Sequence, residues 1–193
     1  VLQVNSRGAV VSRERMEKVL EKISSAAIPV AVWVGPTGAR AYGLSAQMLT
    51  VADVTAMAPG ARIGYSGELL SVGGKTVSFG SADSTLTNSS VGFSDARKLG
   101  VLKNIGTDEG VPVVRNMLYA LDGITVRSVA LDTVSDALDA KGQVTREATT
   151  VRFFKLGLMP RLLHTVASPP SALLLVTIGL ALLLFEFFTA GIG

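Results

Sequence analysis

Gly43, Ser45 and Lys75 mark where side-chain chemistry would have to happen in this chain. The stretch around them reads as a buried strand over Pro29–Val34, a Gly/Pro turn over Gly35–Gly38, and a short helix from about Ala41. A second strand follows over Val54–Met57 and ends in the turn Ala58–Pro59–Gly60. A strand–turn–helix elbow of this kind can hold a nucleophile against backbone amides. The elbow carries Gly43, which has no side chain with which to attack. Ser45 is the next hydroxyl, two places on in the same expected helix. Two helical positions lie about 200° apart, so Ser45 is expected to point away from the site. Lys75 is the nearest base in sequence and could serve Ser45 only if the turn shifts. Otherwise Ser45 is a small residue packed on or near a helix.

The other reactive residue types exclude more than they suggest. There is no cysteine, which removes disulfides and thiolate-ligated metals. The single histidine, His164, removes multi-histidine metal sites and sits in a basic amphipathic stretch. Asp108 and Glu109 are adjacent and read as a solvated loop. No metal and no cofactor is expected. The net charge is +3, and the basic residues are scattered instead of forming a nucleic-acid stripe.

The elements that must position the elbow follow from periodicity. With 193 residues the chain holds one ordinary domain plus an appendage. Val1–Val4 is a short apolar strand, and the expectation is that residues before it are missing. Ser12 is an N-cap with Glu14 in the first turn, and Met16, Val19, Leu20 and Ile23 give that helix one buried face. Strand, helix and strand (Ile28–Val34) within about 35 residues make a crossover unit with parallel strands. Trp33 is expected in the core. Ser66–Ser90 is Gly/Ser/Thr-rich with at most one hairpin, around Gly73–Gly74. It is a surface excursion or a loop over a site. Ser94–Leu99 is a short helix stopped by Gly100, and Val101–Ile105 reads as strand. Pro112–Leu121 is a helix, Asp122–Gly123 a turn and Ile124–Val129 a strand.

Residues 1–131 thus form the globular domain, and the polar stretch 132–150 reads as a linker. Residues 151–168 mix Phe153, Phe154, Leu156 and Leu158 with Arg152, Lys155 and Arg161, the composition of a segment lying in a headgroup region. A packed tail of the globular domain is the alternative. In 169–193, Ser171–Phe188 carries one ionisable residue, Glu186, and no polar stripe. A bilayer core needs roughly 20 such residues, so this is a transmembrane segment more readily than a buried helix. Glu186 lies near its end, where it can snorkel to the surface; pairing within an oligomer is the alternative.

Taken together, Leu2–Gly8 with the helix behind it, Ile28–Arg40, Met57–Gly64 and the tail Leu163–Gly193 resemble the NfeD family of membrane-bound, ClpP-class serine proteases. The resemblance implies an α/β, ClpP/crotonase-like core of repeated strand–helix units, then a linker and one C-terminal transmembrane helix. Active members use a serine–lysine dyad, in which a lysine of lowered pKa takes the serine proton. By resemblance the serine position falls on Gly43 and the lysine position near Thr87. No lysine occurs between Lys75 and Lys98. The oxyanion-loop glycine pair corresponds to Gly8 and Ala9. Alanine keeps the N–H but disfavours the backbone angles glycine permits.

The implied function is that of a membrane-anchored protein with a degenerate protease site. It would scaffold a stomatin/flotillin (SPFH) membrane protein, form homo-oligomers, and sit in a prokaryotic plasma membrane with its soluble domain outside. The basic residues before the span would favour a cytoplasmic domain instead, by a rule that is weak for long domains. Two other readings are an active serine endopeptidase cutting apolar peptide segments, with Ser45 as nucleophile, and a crotonase-like acyl-CoA enzyme. No nucleic-acid partner is expected.

Overall fold

The structure, a computed structural model, describes residues 1–8, 11–103, 105, 109–138, 140–149, 151, 152, 154 and 169–189. They fall into two units, Val1–Thr150 and Val151–Gly193. The first is a mixed α/β unit.

Its centre is a parallel sheet of β1 (Leu2–Val4), β2 (Ala31–Val34) and β4 (Val54–Met57), in the order β1-β2-β4. Every residue of β2 and β4 is buried; β2 is an unbroken apolar run, and β4 is broken only by Thr55, whose hydroxyl donates to the Val101 carbonyl at 3.0 Å. Helix α1 (Arg13–Ser24) joins β1 to β2. The Ser12 hydroxyl caps it by accepting from the Arg15 N–H at 3.4 Å, as the sequence predicts. Met16, Leu20 and Ile23 form its buried face, whereas Val19, expected with them, is 40% exposed. Met16 and Leu20 pack against Leu70 and Val77, and Val19 falls to the side of that stripe.

The second sheet departs from expectation where it matters most. Ala41 begins no helix. It is the buried centre of strand β3 (Arg40–Tyr42), and a 3-10 turn, Gly43–Gln47, and helix α2 (Met48–Val51) follow. β3 pairs in parallel with β5 (Arg62–Gly64), which pairs antiparallel with β8 (Ser90–Gly92). The Ser66–Ser90 excursion holds the expected hairpin, β6 (Ser71–Val72) with β7 (Lys75–Thr76). It also holds helix α3 (Asp83–Asn88), missed because only Leu86 of its six residues is a large apolar anchor. Helix α4 (Phe93–Lys98) stops before Gly100 as expected.

Residues 101–103 and 105 form no strand, although the Thr55 N–H donates to the Lys103 carbonyl at 3.1 Å along the β4 edge. Helix α5 (Val114–Leu121) starts two residues after Pro112. The expected strand over Ile124–Val129 is instead a hairpin, β9 (Thr125–Val126) and β10 (Val129–Ala130). Its two-residue turn puts Arg127 and Ser128 at φ 48° and 65°, the pattern that matches strand twist. The expected linker, 132–150, carries a second hairpin, β11 (Val134–Leu138) with β12 (Val144–Ala148). It is tied back to α5: the Tyr119 hydroxyl donates to the Arg146 carbonyl at 2.8 Å, and Arg146 pairs with Asp122 at 2.6 Å. Exposed polar alternation hides such a strand in sequence.

In the second unit, helix α6 (Pro169–Thr189) opens on the proline pair. Its stretch Pro170–Thr189 is long and apolar enough to cross a membrane, and none of it is buried. It is a candidate membrane span. Of the expected interfacial segment 151–168, only Val151, Arg152 and Phe154 are among the described residues; His164 is outside them.

Trp33 is the anchor of the core, 2% exposed, with its indole N–H donating to the Val111 carbonyl at 2.8 Å. A Cβ on Gly35 would meet that ring at 2.1 Å. Because the ring is hemmed in on all sides, Gly35→Ala must shift it and strand the Val111 carbonyl. The expected loss is about 2–4 kcal/mol, read by chemical denaturation.

Candidate functional site

The elbow forms because the chain after β1 crosses from one sheet to the other. Val4 pairs with Val34 in the first sheet, and Ser6 then bridges in parallel to Ala41 in the second. The Ser6 N–H donates to the Arg40 carbonyl at 2.6 Å, and the Tyr42 N–H donates to the Ser6 carbonyl at 3.0 Å. Those bonds carry Gly8 to the apex of the elbow. A Cβ added to Gly43 would lie 3.5 Å from the Gly8 Cα, an ordinary contact. Gly8 has φ 101° and Gly43 has φ 66°, both in the region that favours glycine. The structure therefore brings Gly43 and Gly8 together; Ala9 lies outside the described residues.

The other sequence candidates do not assemble into a dyad. Ser45 is 7% exposed, and its hydroxyl donates to the Tyr42 carbonyl at 2.8 Å. It acts there as an internal tie of the 3-10 turn, with its hydroxyl proton already committed. Lys75 is exposed in the β6–β7 hairpin, and nothing joins it to Ser45. The Thr87 hydroxyl donates to the Asp83 carbonyl at 2.7 Å within α3. Backbone bonds tie the α3 segment toward the elbow: Ser66 N–H to Leu86 carbonyl at 2.9 Å, Tyr65 N–H to Ser89 carbonyl at 2.9 Å, and Gly43 N–H to Tyr65 carbonyl at 3.1 Å. Among the described residues no cluster of three or more His, Cys, Asp or Glu could hold a metal.

What stands beside Gly43 is a group the sequence reading missed. Arg40 and Tyr42 project from the outer face of β3, since Ala41 between them is buried. Arg62 is the register partner of Arg40 across β5. Arg62 donates to the Ser90 hydroxyl at 3.1 Å and to the Ser90 carbonyl at 2.5 Å. The Arg40 guanidinium lies 6.0 Å from the centroid of the Tyr42 ring, and Tyr42 meets Tyr65 edge to face at 5.3 Å. Burial pushes the Tyr42 phenol up, but hydrogen bonds with Ser90, Arg40 and Arg62 and the charge of Arg40 outweigh it and leave the phenol below its ordinary value. A strand reading of Arg40–Tyr42 would have shown this: charge, small, aromatic is the alternation of a half-exposed strand.

One lysine does have a lowered pKa. Burial pulls Lys103 down, and the Asp53 carboxylate partly restores it. Its ammonium donates to the Thr50 carbonyl at 2.7 Å. No contact joins it to Ser45 or Gly43, so it supplies no base to the elbow.

No protein-family profile matches the chain, and no curated protein is similar to it in sequence. Solved structures do match. A lysine-to-alanine mutant of the 1510-N membrane-bound stomatin-specific protease, in complex with a substrate peptide, superposes with a TM-score of 0.59 at 17% identity over 85% of this chain and 80% of that one. The 1510-N membrane protease specific for a stomatin homolog from Pyrococcus horikoshii matches with a TM-score of 0.56 at 16% identity, over 85% and 79%. The chain shares the fold of these structures. The expected α/β architecture holds, including the C-terminal candidate span. At this identity the likeness speaks for the fold, and the site has to be argued from the residues in this chain.

Two measurements check the site geometry. The Gly43 apex has room, so Gly43→Ala is expected to cost only about 1 kcal/mol for its positive φ. A Cβ on Gly64 would meet the Ser89 carbonyl oxygen at 2.1 Å, so Gly64→Ala is expected to cost several times more in the same denaturation assay. In an ultraviolet titration, the signal lost in Tyr42→Phe is expected to ionise below the ordinary tyrosine value. Arg40→Gln should move it upward, since it removes a cation that favours the phenolate.

Proposed function

We propose that this chain is a membrane-anchored, NfeD-like scaffold whose ClpP-class protease site is degenerate, and that it partners a stomatin/flotillin (SPFH) membrane protein. The observation that carries the reading is the apex of the elbow. The position beside Gly8 that offers space for a side chain is Gly43; the Ser45 and Thr87 hydroxyls donate to backbone carbonyls, and the Ser6 hydroxyl accepts from the Gly8 N–H at 3.4 Å. Acyl transfer needs an attacking atom and a base that takes its proton. The Ser45 hydroxyl is spent on the Tyr42 carbonyl, and Thr87 has replaced any amine at the position the resemblance assigns to lysine.

The stomatin link comes from the fold. The matching structures are named as proteases specific for stomatin, and one holds a substrate peptide. A fold that presents a peptide-binding frame without its nucleophile can hold a partner without cutting it. Helix α6 supplies the anchor, and the resemblance adds homo-oligomers in a prokaryotic plasma membrane with the soluble unit outside. An oligomer would also bury part of the exposed edges left by three short sheets.

Gentle detergent extraction of the full-length protein, followed by identification of what co-purifies, tests the reading. Recovery of an SPFH-class protein is the expected result. Its absence, under conditions that keep other membrane complexes intact, counts against the partner. A fluorophosphonate probe tests the chemistry: no labelling is expected. Labelling at Ser45 that disappears in Ser45→Ala would establish the active endopeptidase instead.

A further inference from the structure

The outer face of the β3–β5–β8 sheet carries a charge arrangement that fold stability does not explain. Arg40 and Arg62 stand directly opposite each other on paired strands. Like charges so placed repel and weaken the pair. Among the described residues neither guanidinium forms an ion pair with a carboxylate; their side-chain partners are Tyr42 and the hydroxyl and carbonyl of Ser90. The other ion pairs of the first unit show that carboxylates are used freely elsewhere: Arg13 with Glu68, Arg127 with Asp53 and Arg146 with Asp122.

Apart from Arg62, the outward positions of β5 and β8 carry only glycine and serine, with Gly64 covered and Gly92 open. Ile63 and Val91, the central residues of β5 and β8, point to the core. The residues that alternate outward are Arg40, Tyr42, Arg62 and Ser90, with Gly64 and Gly92 between them. A Cβ on Gly92 would meet nothing within 4 Å, so the floor there is open. From Arg62 the surface runs into a cleft of about 580 Å³, bounded by Pro59–Arg62 on one side and Gly92–Asp95 on the other. Its lining changes sign, with Arg62 at one place and Asp95 and Glu109 at another.

We propose that this face and its cleft bind a peptide segment, with an acidic side chain or chain end held between Arg40 and Arg62 and a basic group facing Asp95 and Glu109. The Arg40 guanidinium and the remaining Nη1 of Arg62, whose Nε and Nη2 are held by Ser90, can donate to the two oxygens of a carboxylate, and the Tyr42 hydroxyl adds a donor beside them. The anion removes the cross-strand repulsion, so binding is strengthened by the strain of the empty face. Asp95 and Glu109 repel a ligand that is anionic throughout, such as a polyphosphate or nucleic acid, which selects a dipolar peptide. The proposal rests on the scaffold reading only in taking a peptide as the ligand. It concerns side chains outside the elbow and does not require the partner to be of stomatin class.

The test uses full-length protein in detergent and two acetylated, amidated tripeptides carrying a neutral dye, Glu-Ala-Lys and Gln-Ala-Lys, read by fluorescence polarisation. The Glu peptide is expected to bind about tenfold or more tightly than the Gln peptide, with the gap shrinking as salt rises. Arg40→Gln and Arg62→Gln should each abolish the gap. Asp95→Asn should leave the gap and weaken both peptides, because it acts on the lysine end. The thermal midpoint of Arg40→Gln should equal or exceed that of the parent, because the substitution relieves repulsion; this separates lost binding from lost folding. Equal binding of the two peptides, or a Glu preference that survives both arginine substitutions, overturns the proposal. Displacement of the Glu peptide by an equal concentration of inorganic phosphate also overturns it, showing a simple anion site. If the peptides discriminate but no SPFH-class protein co-purifies, the partner identity fails and this site stands. The reverse result leaves the scaffold and removes the site.

Discussion

Two hydrogen bonds at Ser6 splice the two three-stranded sheets of the first unit. One goes from the Ser6 N–H to the Arg40 carbonyl and the other from the Tyr42 N–H to the Ser6 carbonyl. They turn one extended segment into a shared edge: Val4 belongs to the β1-β2-β4 sheet and Ser6 to the face of β3. Without that crossing, Gly8 would not reach Gly43 and the elbow would have no opposite wall. Both bonds at Ser6 are made by backbone alone, while the Asn5 side chain accepts from the Arg40 N–H at 3.2 Å and Gly8 holds a positive φ. What they demand is close approach, and glycine at both facing positions meets that demand. Around this splice the core is ordinary, with β2 and β4 buried on both faces and Trp33 fixed by its bond to the Val111 carbonyl.

On the proposed scaffold reading, the elbow keeps its backbone frame and lacks a nucleophile. An elbow, a facing glycine and strands for a peptide to lie against are features of shape and backbone. Attack and proton transfer belong to side chains, and the candidate side chains are committed elsewhere: Ser45 to the Tyr42 carbonyl, Thr87 to the Asp83 carbonyl, and Lys103 to the Thr50 carbonyl. Charge has instead been gathered on the neighbouring outer face, where Arg40 stands opposite Arg62 with Tyr42 beside them. A face under that repulsion is suited to recognition, which needs a standing field, more than to turnover, which needs a group that changes protonation state.

Some elements were legible because one local signal dominated each. The Ser12 cap and the Met16–Leu20–Ile23 stripe gave α1, and Gly73–Gly74 gave the β6–β7 turn. Others failed for identifiable reasons. Ala41 sits between a charged and an aromatic residue, and a three-residue strand is too short to show a period, so β3 was read as helix. The α3 helix has one buried large residue, and β11–β12 is mostly exposed, so neither leaves an apolar pattern. In the last case the hairpin depends on the Arg146–Asp122 pair and on Tyr119, contacts made across more than twenty positions of sequence.

By itself the amino-acid sequence determined the α/β class, the parallel crossover at the start, the apolar run of α6 and the absence of a nucleophile at Gly43, because each is a property of composition or of spacing within one element. The tertiary structure alone decided that Gly8 faces Gly43, that the Ser45 hydroxyl is bound to the Tyr42 carbonyl, and that Arg40 stands opposite Arg62. Those relations depend on strand register, and register is set when separate elements pack and satisfy each other's backbone groups, which no local pattern encodes.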